Sequence, residues 1–201
     1  MSTVVQQSIL NKGRQDKFLL VLNLPSILKS VNKTDAGSRA TDVLNLDSLQ
    51  YSIHGTIVPE TTIPEIELPF GGQTAKTTSY TKNSYKAVTV SFTVDNQFNN
   101  WWVLWYWLNV INNNATGTYN ADGLAPSDNF YGVENYQTRV TVYGLDEYNN
   151  KVIQWDYLNA FITTLGDLTY SYRESGQIES SFTFAFGQLN TQLLDLSLIH
   201  I

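Results

Sequence analysis

Hydrophobic positions along the chain repeat with two different periods. From 88 to 94, Val88, Val90, Phe92 and Val94 alternate with Thr89, Ser91 and Thr93, the period of two that buries one face of a strand and leaves the other neutral and polar. A few residues later the period becomes 3.6. In FNNWWVLWYWLNVI, residues 98–111, Phe98, Trp101, Trp102, Trp105 and Leu108 fall on one helical stripe, while Val103, Leu104, Trp107, Val110 and Ile111 fill much of the remainder. A helix apolar nearly all round needs cover on both sides: one stripe can face the chain's own sheet, and the other must meet a second layer or a neighbouring molecule. Four of the five tryptophans fall in this segment, and hiding each ring contributes on the order of 4 to 6 kcal/mol as an upper bound. Asp95 or Asn96 is the expected N-cap, and the helix should end at Asn112-Asn113-Asn114.

The period of two recurs elsewhere. Strands are expected at 17–24, 50–58 and 61–70, the last with two prolines that suit an edge strand or a bend, followed by a turn at Gly71-Gly72. Segments 74–80 and 87–94 read as the two arms of a hairpin. Four further runs, 137–145, 151–163, 167–173 and 178–186, include two short connections, 147–150 and 174–177, that predict antiparallel hairpins. Eight or nine strands around one helix make a mainly β (α+β) fold: two packed antiparallel sheets, as a β-sandwich or open barrel, with the Trp-rich helix on one side. Residues 29–47 and 115–135 are polar, turn-rich loops, and the apolar tail 188–201 should dock on the chain itself or on a neighbour.

Composition narrows the picture. The 201 residues, 42% hydrophobic and 13% aromatic, suit a single domain with a packed core. The absence of cysteine removes disulfides, thiolate metal sites and cysteine nucleophiles. Twelve basic against eighteen acidic side chains give a net charge of −6, which argues against adhesion to nucleic acid or an anionic membrane. The start of the chain has no basic segment followed by an apolar run, so no secretory signal is expected and synthesis should be cytosolic. The tryptophan segment is too short and too interrupted by asparagine to span a bilayer.

Candidate chemistry is sparse. His54 and His200 lie far apart without metal-ligand spacing, no serine sits in GxSxG, and no glycine run forms a phosphate loop. Glu60, Glu65 and Glu67, or Asp146 with Glu147, are the only carboxylate groupings considered for acid–base work, and strand-end carboxylates are usually solvated. Neither an enzyme nor a cofactor is expected. Tyrosine with asparagine and aspartate in 115–135 leaves a sugar-stacking module as a competing reading.

The block IPEIELPFGGQTAKTTSYTKNSYKAVTVSFTVDNQFNNWWVLWYWLN, residues 63–109, resembles the tail tube proteins of contractile-tailed phages. The likeness lies in Pro69 and Gly71 at a bend, 82–85 near a hairpin tip, the alternating run 88–94, the acid Asp95 and a tryptophan helix; the C-terminal order of strands ending in SFTFAF is similar too. The resemblance implies a virion protein that self-assembles into hexameric rings stacked coaxially as a tube. Its implied partners are the sheath, baseplate, tail terminator and tape-measure proteins, and DNA passes through the lumen unbound. Assembly in the host cytoplasm and residence in the phage tail follow from the same likeness. Expected contacts between subunits or rings are Lys82, Asn83 and Tyr85 on the hairpin and Trp101, Trp102, Trp105 and Trp107 on the helix. A wall of Thr89, Ser91 and Thr93 would offer DNA little to hold. The loops 29–47 and 115–135 and the tail exceed the compact family pattern, which leaves a baseplate tube initiator as the alternative.

Overall fold

The computed structural model describes residues 12–25, 28, 53–112, 136–173 and 175–194. Among them the alternating segments form β1 (Phe18–Leu22), β2 (Ile53–Gly55), β3 (Glu65–Phe70), β4 (Gln73–Thr78), β5 (Val88–Thr93), β6 (Thr138–Leu145), β7 (Lys151–Leu165), β8 (Glu179–Ala185) and β9 (Gln188–Leu193). One helix, α1 (Asn99–Ile111), connects the first five strands to the rest. The main sheet runs β1-β6-β7-β8-β5-β2 with β9 also on β7, and β3-β4 stands apart as a two-stranded hairpin. The fold is mainly β, as the alternation predicts.

The expected two sheets are joined rather than separate, because the 15-residue β7 belongs to both. Its first half pairs with β6 on one edge and β9 on the other, Tyr157 lying opposite both Val140 and Leu189, whereas its second half pairs with β8. The bend between the halves has an identifiable cause. Val140 faces Tyr157 but Thr138 faces Ala160, so β7 carries one residue more than β6 there, and Asn159 takes φ +57° to absorb it. Such a bulge bends a strand and increases its twist, and asparagine tolerates the left-handed region better than most residues. The result is a single sheet curled toward an open barrel.

Inside the curl lie Leu20, Val140, Val142 and Tyr157 from one half and Val90, Phe92, Phe182 and Phe184 from the other. The helix adds Leu104, Trp107 and Val110 to the same core and packs against β7. The buried stripe is therefore Asn100, Val103, Leu104, Trp107 and Val110; the Trp101-Trp102-Trp105 side is only half-buried. The Trp107 indole satisfies its N–H on the Tyr136 carbonyl at 3.1 Å.

Several local expectations are corrected. Segment 74–80 does not pair with β5: β4 pairs with β3 around Gly71-Gly72, from Phe70↔Gln73 to Glu65↔Thr78. Both glycines have positive φ, +55° and +82°, which is what a two-residue hairpin loop requires and what favours this nearest-neighbour pairing. β5 instead pairs with β8 and β2. Residues 167–173 are not a strand, so they form no hairpin arm with β8; the described residues 166–173 and 175–178 lie between β7 and β8 outside either strand. The first part of the tail, Gln188–Leu193, docks on this chain as β9, and residues 195–201, like 29–47 and 115–135, lie outside the described residues. No helix among the described residues is long and apolar enough to cross a membrane.

Asp95 acts on the helix start, though not as N-cap. Phe98 holds the N-cap position with φ +60° and offers no side-chain cap. Asp95 reaches over it, Oδ1 accepting from the backbone N–H of Gln97 (3.0 Å) and Asn99 (2.8 Å). Asn100 closes the arrangement: its Oδ1 accepts from the Asp95 N–H at 3.1 Å and its Nδ2 donates to the Thr93 carbonyl at 2.8 Å. Replacing Asp95 by alanine leaves helix-start donors unpaired, and we expect a loss of about 1 to 2 kcal/mol in urea unfolding with an unchanged fold by circular dichroism.

The β6–β7 turn carries a second such carboxylate. Asp146 accepts from the N–H groups of Tyr148 and Asn150 and from the Asn150 amide, at 2.8 to 2.9 Å. Desolvation pushes its pKa up, but the hydrogen bonds from Asn150 and Tyr148 and the nearby Lys17 charge outweigh that and hold it below the ordinary carboxylate value. A depressed folded-state pKa means the turn's stabilisation is complete above the unfolded-state value and is lost as pH falls through the lower one. The protection of the Tyr148 and Asn150 amides, measured relative to the intrinsic exchange rate at each pH, should therefore fall on acidification, and Asp146→Asn should flatten that response.

Candidate functional site

The most exposed part of the described chain is an arm built on β3 and β4. The alternation in EIELPF gives it two faces. Glu65 and Glu67 lie with Lys76, whose Nζ is 2.8 Å from Glu65 and 3.8 Å from Glu67. Ile66, Leu68 and Phe70 form the other face, beside Ala75 of the partner strand. The ion pairs are exposed and contribute a few tenths of a kcal/mol at most. The apolar face is exposed as well, Phe70 by 78% and Leu68 by 49%. A lone two-stranded hairpin is marginal in water, so this one has its core-forming side turned outward.

The arm is tied to the barrel at its root. Beyond the ladder the two chains stay side by side, the Ser79 N–H donating to the Pro64 carbonyl at 2.9 Å and the Asn83 N–H to the Thr62 carbonyl at 3.1 Å. At the root, Tyr85 stacks on Phe186 with ring centroids 5.1 Å apart, and Phe186 meets Tyr157 edge-on at 4.9 Å. The Tyr157 hydroxyl donates to the Ile57 carbonyl at 3.2 Å on the other chain of the arm. Burial pushes the Tyr157 phenol well above its ordinary pKa, so it remains a neutral donor throughout the physiological range.

The expected contact residues are distributed unevenly over this geometry. Lys82 and Asn83 are exposed on the returning chain of the arm rather than near its tip, which is Gly71-Gly72. Tyr85 is half-buried against Phe186, a root residue. Trp107, expected among the contacts, is fully buried within the core and has no surface to offer a neighbour. Trp101 packs partly against the core, its indole N–H buried without a hydrogen-bond partner. Trp102 and Trp105 are half-buried on the opposite side, and Trp102 stacks on Tyr106 at 4.9 Å. Ile66, Leu68 and Phe70 were missed because 61–70 was read for its prolines; their alternation against Glu65 and Glu67 was the available signal. Tyr80, 87% exposed with φ +58°, belongs with them.

Several of the groups with candidate chemistry have structural partners, and His200 lies outside the described residues. Glu65 and Glu67 pair with Lys76, and Asp146 holds its own turn. The buried Asp156 accepts from the Thr141 hydroxyl at 2.6 Å and the Gln154 amide at 2.8 Å, a closed network between β6 and β7. Among the described residues no three histidine or carboxylate side chains gather as a metal site would require.

An exposed arm and an apolar helix on a curled sheet invite comparison with assembling proteins. The phage tail tube protein family matches residues 13–192. The chain belongs to that family. It is a structural tail tube protein, and the same barrel with one helix is found in solved assemblies. A chain of the sheath-tube complex of the extracellular contractile injection system PVC, in its extended state, is 13% identical with a TM-score of 0.57, over 96% of this chain and all of that one. A chain of the anti-feeding prophage cap, the AFP tube-terminating cap, is also 13% identical with a TM-score of 0.58 over the same shares. At this identity the likeness concerns the fold. No curated protein matches the chain in sequence.

The root of the arm yields a direct expectation for this tail tube protein. Tyr85→Ala removes the stack on Phe186 while leaving the core untouched. Amide exchange across 57–86 should accelerate by an order of magnitude or more for a loss of about 1.4 kcal/mol of local stability, with little change in the global melting temperature.

Proposed function

We propose that this protein is the tube subunit of a contractile phage tail, forming hexameric rings that stack coaxially, and that the β3-β4 arm makes the contact between copies. The observation that carries the reading is the exposed apolar face of Ile66, Leu68 and Phe70 on a hairpin rooted rigidly in the barrel. Seated on a neighbouring copy, each of these side chains contributes about 1.5 to 3 kcal/mol when fully covered, and the contact repeats at every subunit. A head-to-tail contact of this kind, combining rotation with translation, generates an open tube rather than a closed dimer. Lys82, Asn83 and Tyr80 flank the contact on the returning chain. Trp102 and Trp105 brace the helix against a neighbour in the ring.

Sheath, baseplate, tail terminator and tape-measure proteins are the partners proposed for such a tube, with assembly in the host cytoplasm and duplex DNA passing through the lumen. The role is structural, without an enzymatic step. The baseplate tube initiator remains the second reading, favoured only by the loops that exceed the compact family pattern.

Electron microscopy of the purified protein over a concentration series, with and without baseplates, tests the assembly. Phe70→Asp should remove about 2 kcal/mol per contact and raise the critical concentration for tube growth roughly thirtyfold, while the monomer keeps its melting temperature. Tubes that form equally well from Ile66→Asp, Phe70→Asp double variants would exclude the arm. Growth of a single ring on baseplates, with no further stacking, would favour the initiator.

A further inference from the structure

Two surfaces of the described chain are apolar and carry no charge. One is the outward face of the arm: across the β3-β4 ladder Ile66, Leu68 and Phe70 lie opposite Thr77, Ala75 and Gln73, whereas Glu65, Glu67 and Lys76 stand on the reverse side. The other is the outer side of α1. Residues 99–111 contain no charged side chain, and while Leu104 and Trp107 enter the core, Trp102 and Trp105 stand outside the core cluster with half-buried rings. The arm does not cover its own helix, since Phe70 is 78% exposed.

The remaining exposed hydrophobic side chains away from the arm are poorer seats for that face. Tyr148 follows Asp146 and Glu147, and Tyr170 and Tyr172 lie between Asp167 and Arg173. An apolar ribbon laid over them would strip water from charged groups and give nothing in return. Leu193 is a single exposed side chain at the end of β9. The helix has neither defect, and its dimensions fit. Ile66 to Phe70 spans about 13 Å of strand, and the stripe from Trp102 through Trp105 to Asn109 spans about 10 Å of helix.

The size of such a joint bears on how it is used. Phe70 and two tryptophan rings that are already partly hidden bury on the order of 500 Å² with their surroundings, well short of the roughly 1,200 Å² at which stable pairs begin. One joint therefore makes a weak pair. Each subunit has one arm and one helix, so it enters two joints, and a contact between two different surfaces continues from copy to copy.

We infer that the Ile66, Leu68 and Phe70 face of one subunit's arm seats on the Trp102 and Trp105 side of α1 in another copy, so that the two surfaces are the halves of one joint. This rests on the tube reading above and supplies the arm's acceptor. Because the chain contains no cysteine, cross-linking can be read without background. Phe70→Cys subunits are mixed with equal amounts of Trp105→Cys, Tyr148→Cys or Tyr172→Cys subunits, assembled alone or on baseplates, and treated with a short bis-maleimide. Tubes from the mixture of positions 70 and 105 should give the 70–105 cross-linked dimer, absent from dilute subunits. Tubes that join position 70 to 148 or 172 instead, or to none of the three, would overturn the inference and leave the tube reading standing. Absence of tubes from the unsubstituted protein under both conditions would overturn the tube reading and the inference with it.

A double-mutant cycle measures whether the two surfaces act on each other. Phe70→Ala and Trp105→Ala should each raise the critical concentration for tube growth roughly tenfold without lowering the melting temperature of the monomer. Combined, they should raise it little further, because the second substitution acts on a joint already broken. Effects that multiply to roughly a hundredfold would make the two sites independent and overturn the inference.

Discussion

The bend in β7 at Asn159 is the constraint on which the rest of the molecule depends. Without the extra residue, β7 would pair straight through with β6 and present one flat sheet. With it, Tyr157 on one side of the bend and Ile162 on the other both point into the same core. β8 and β9 follow the bend along the opposite edge, with Ala185 facing Phe161 and Gln188 facing Leu158. Gly187 sits at the break, its N–H donating to the Leu158 carbonyl at 3.0 Å. A 15-residue strand thereby serves two halves of a barrel and spares the fold a second core.

That economy leaves apolar surface the protomer does not cover. The core takes one stripe of α1, centred on Leu104 and Trp107, and its other side keeps Trp102 and Trp105 half-exposed. Among the described residues the arm has no second layer against its Ile66, Leu68 and Phe70 face. Large exposed apolar patches on an otherwise well-packed domain mark interaction surfaces more often than defects, and membership of a tail tube family supplies the neighbour. The stability of the protomer as a monomer rests on the barrel, and the remaining hydrophobic area is the surface proposed above to meet another copy.

How much of this could be read from the chain depended on whether the determinants were local. The strand at Val88–Thr93 and the helix at Asn99–Ile111 were legible because period and burial coincide there, and Asp95 announced the helix start although it caps from beyond Phe98. The turn at Gly71-Gly72 was legible, but its partner strand was misassigned: 74–80 and 87–94 are both plausible hairpin arms, and only the positive φ available at two successive glycines decides that β4 turns back on β3. The bulge at Asn159 left no trace in the alternation of 151–163. The helix stripes were recognised, yet which one faces inward depends on where the sheet lies. Trp107 was therefore expected outside and is found at the centre, and the residues that most plainly need a partner, Ile66, Leu68 and Phe70, were read past.

The arm and the curled sheet are linked through one aromatic cluster. Tyr157 and Phe186, which grip the root of the arm, lie two residues before the bulge and one residue before Gly187 in the sequence. The same bend therefore sets both the direction in which the arm leaves the barrel and the angle between the β1-β6 half and the β5-β8 half. In a close-packed interior such elements shift together or not at all. A displacement of the arm is thus transmitted through the Tyr85-Phe186-Tyr157 cluster to β7, the strand that both halves of the sheet share. The direction of the arm and the curvature of the sheet are therefore set by one joint, and in the proposed tube each subunit would repeat that geometry at every step.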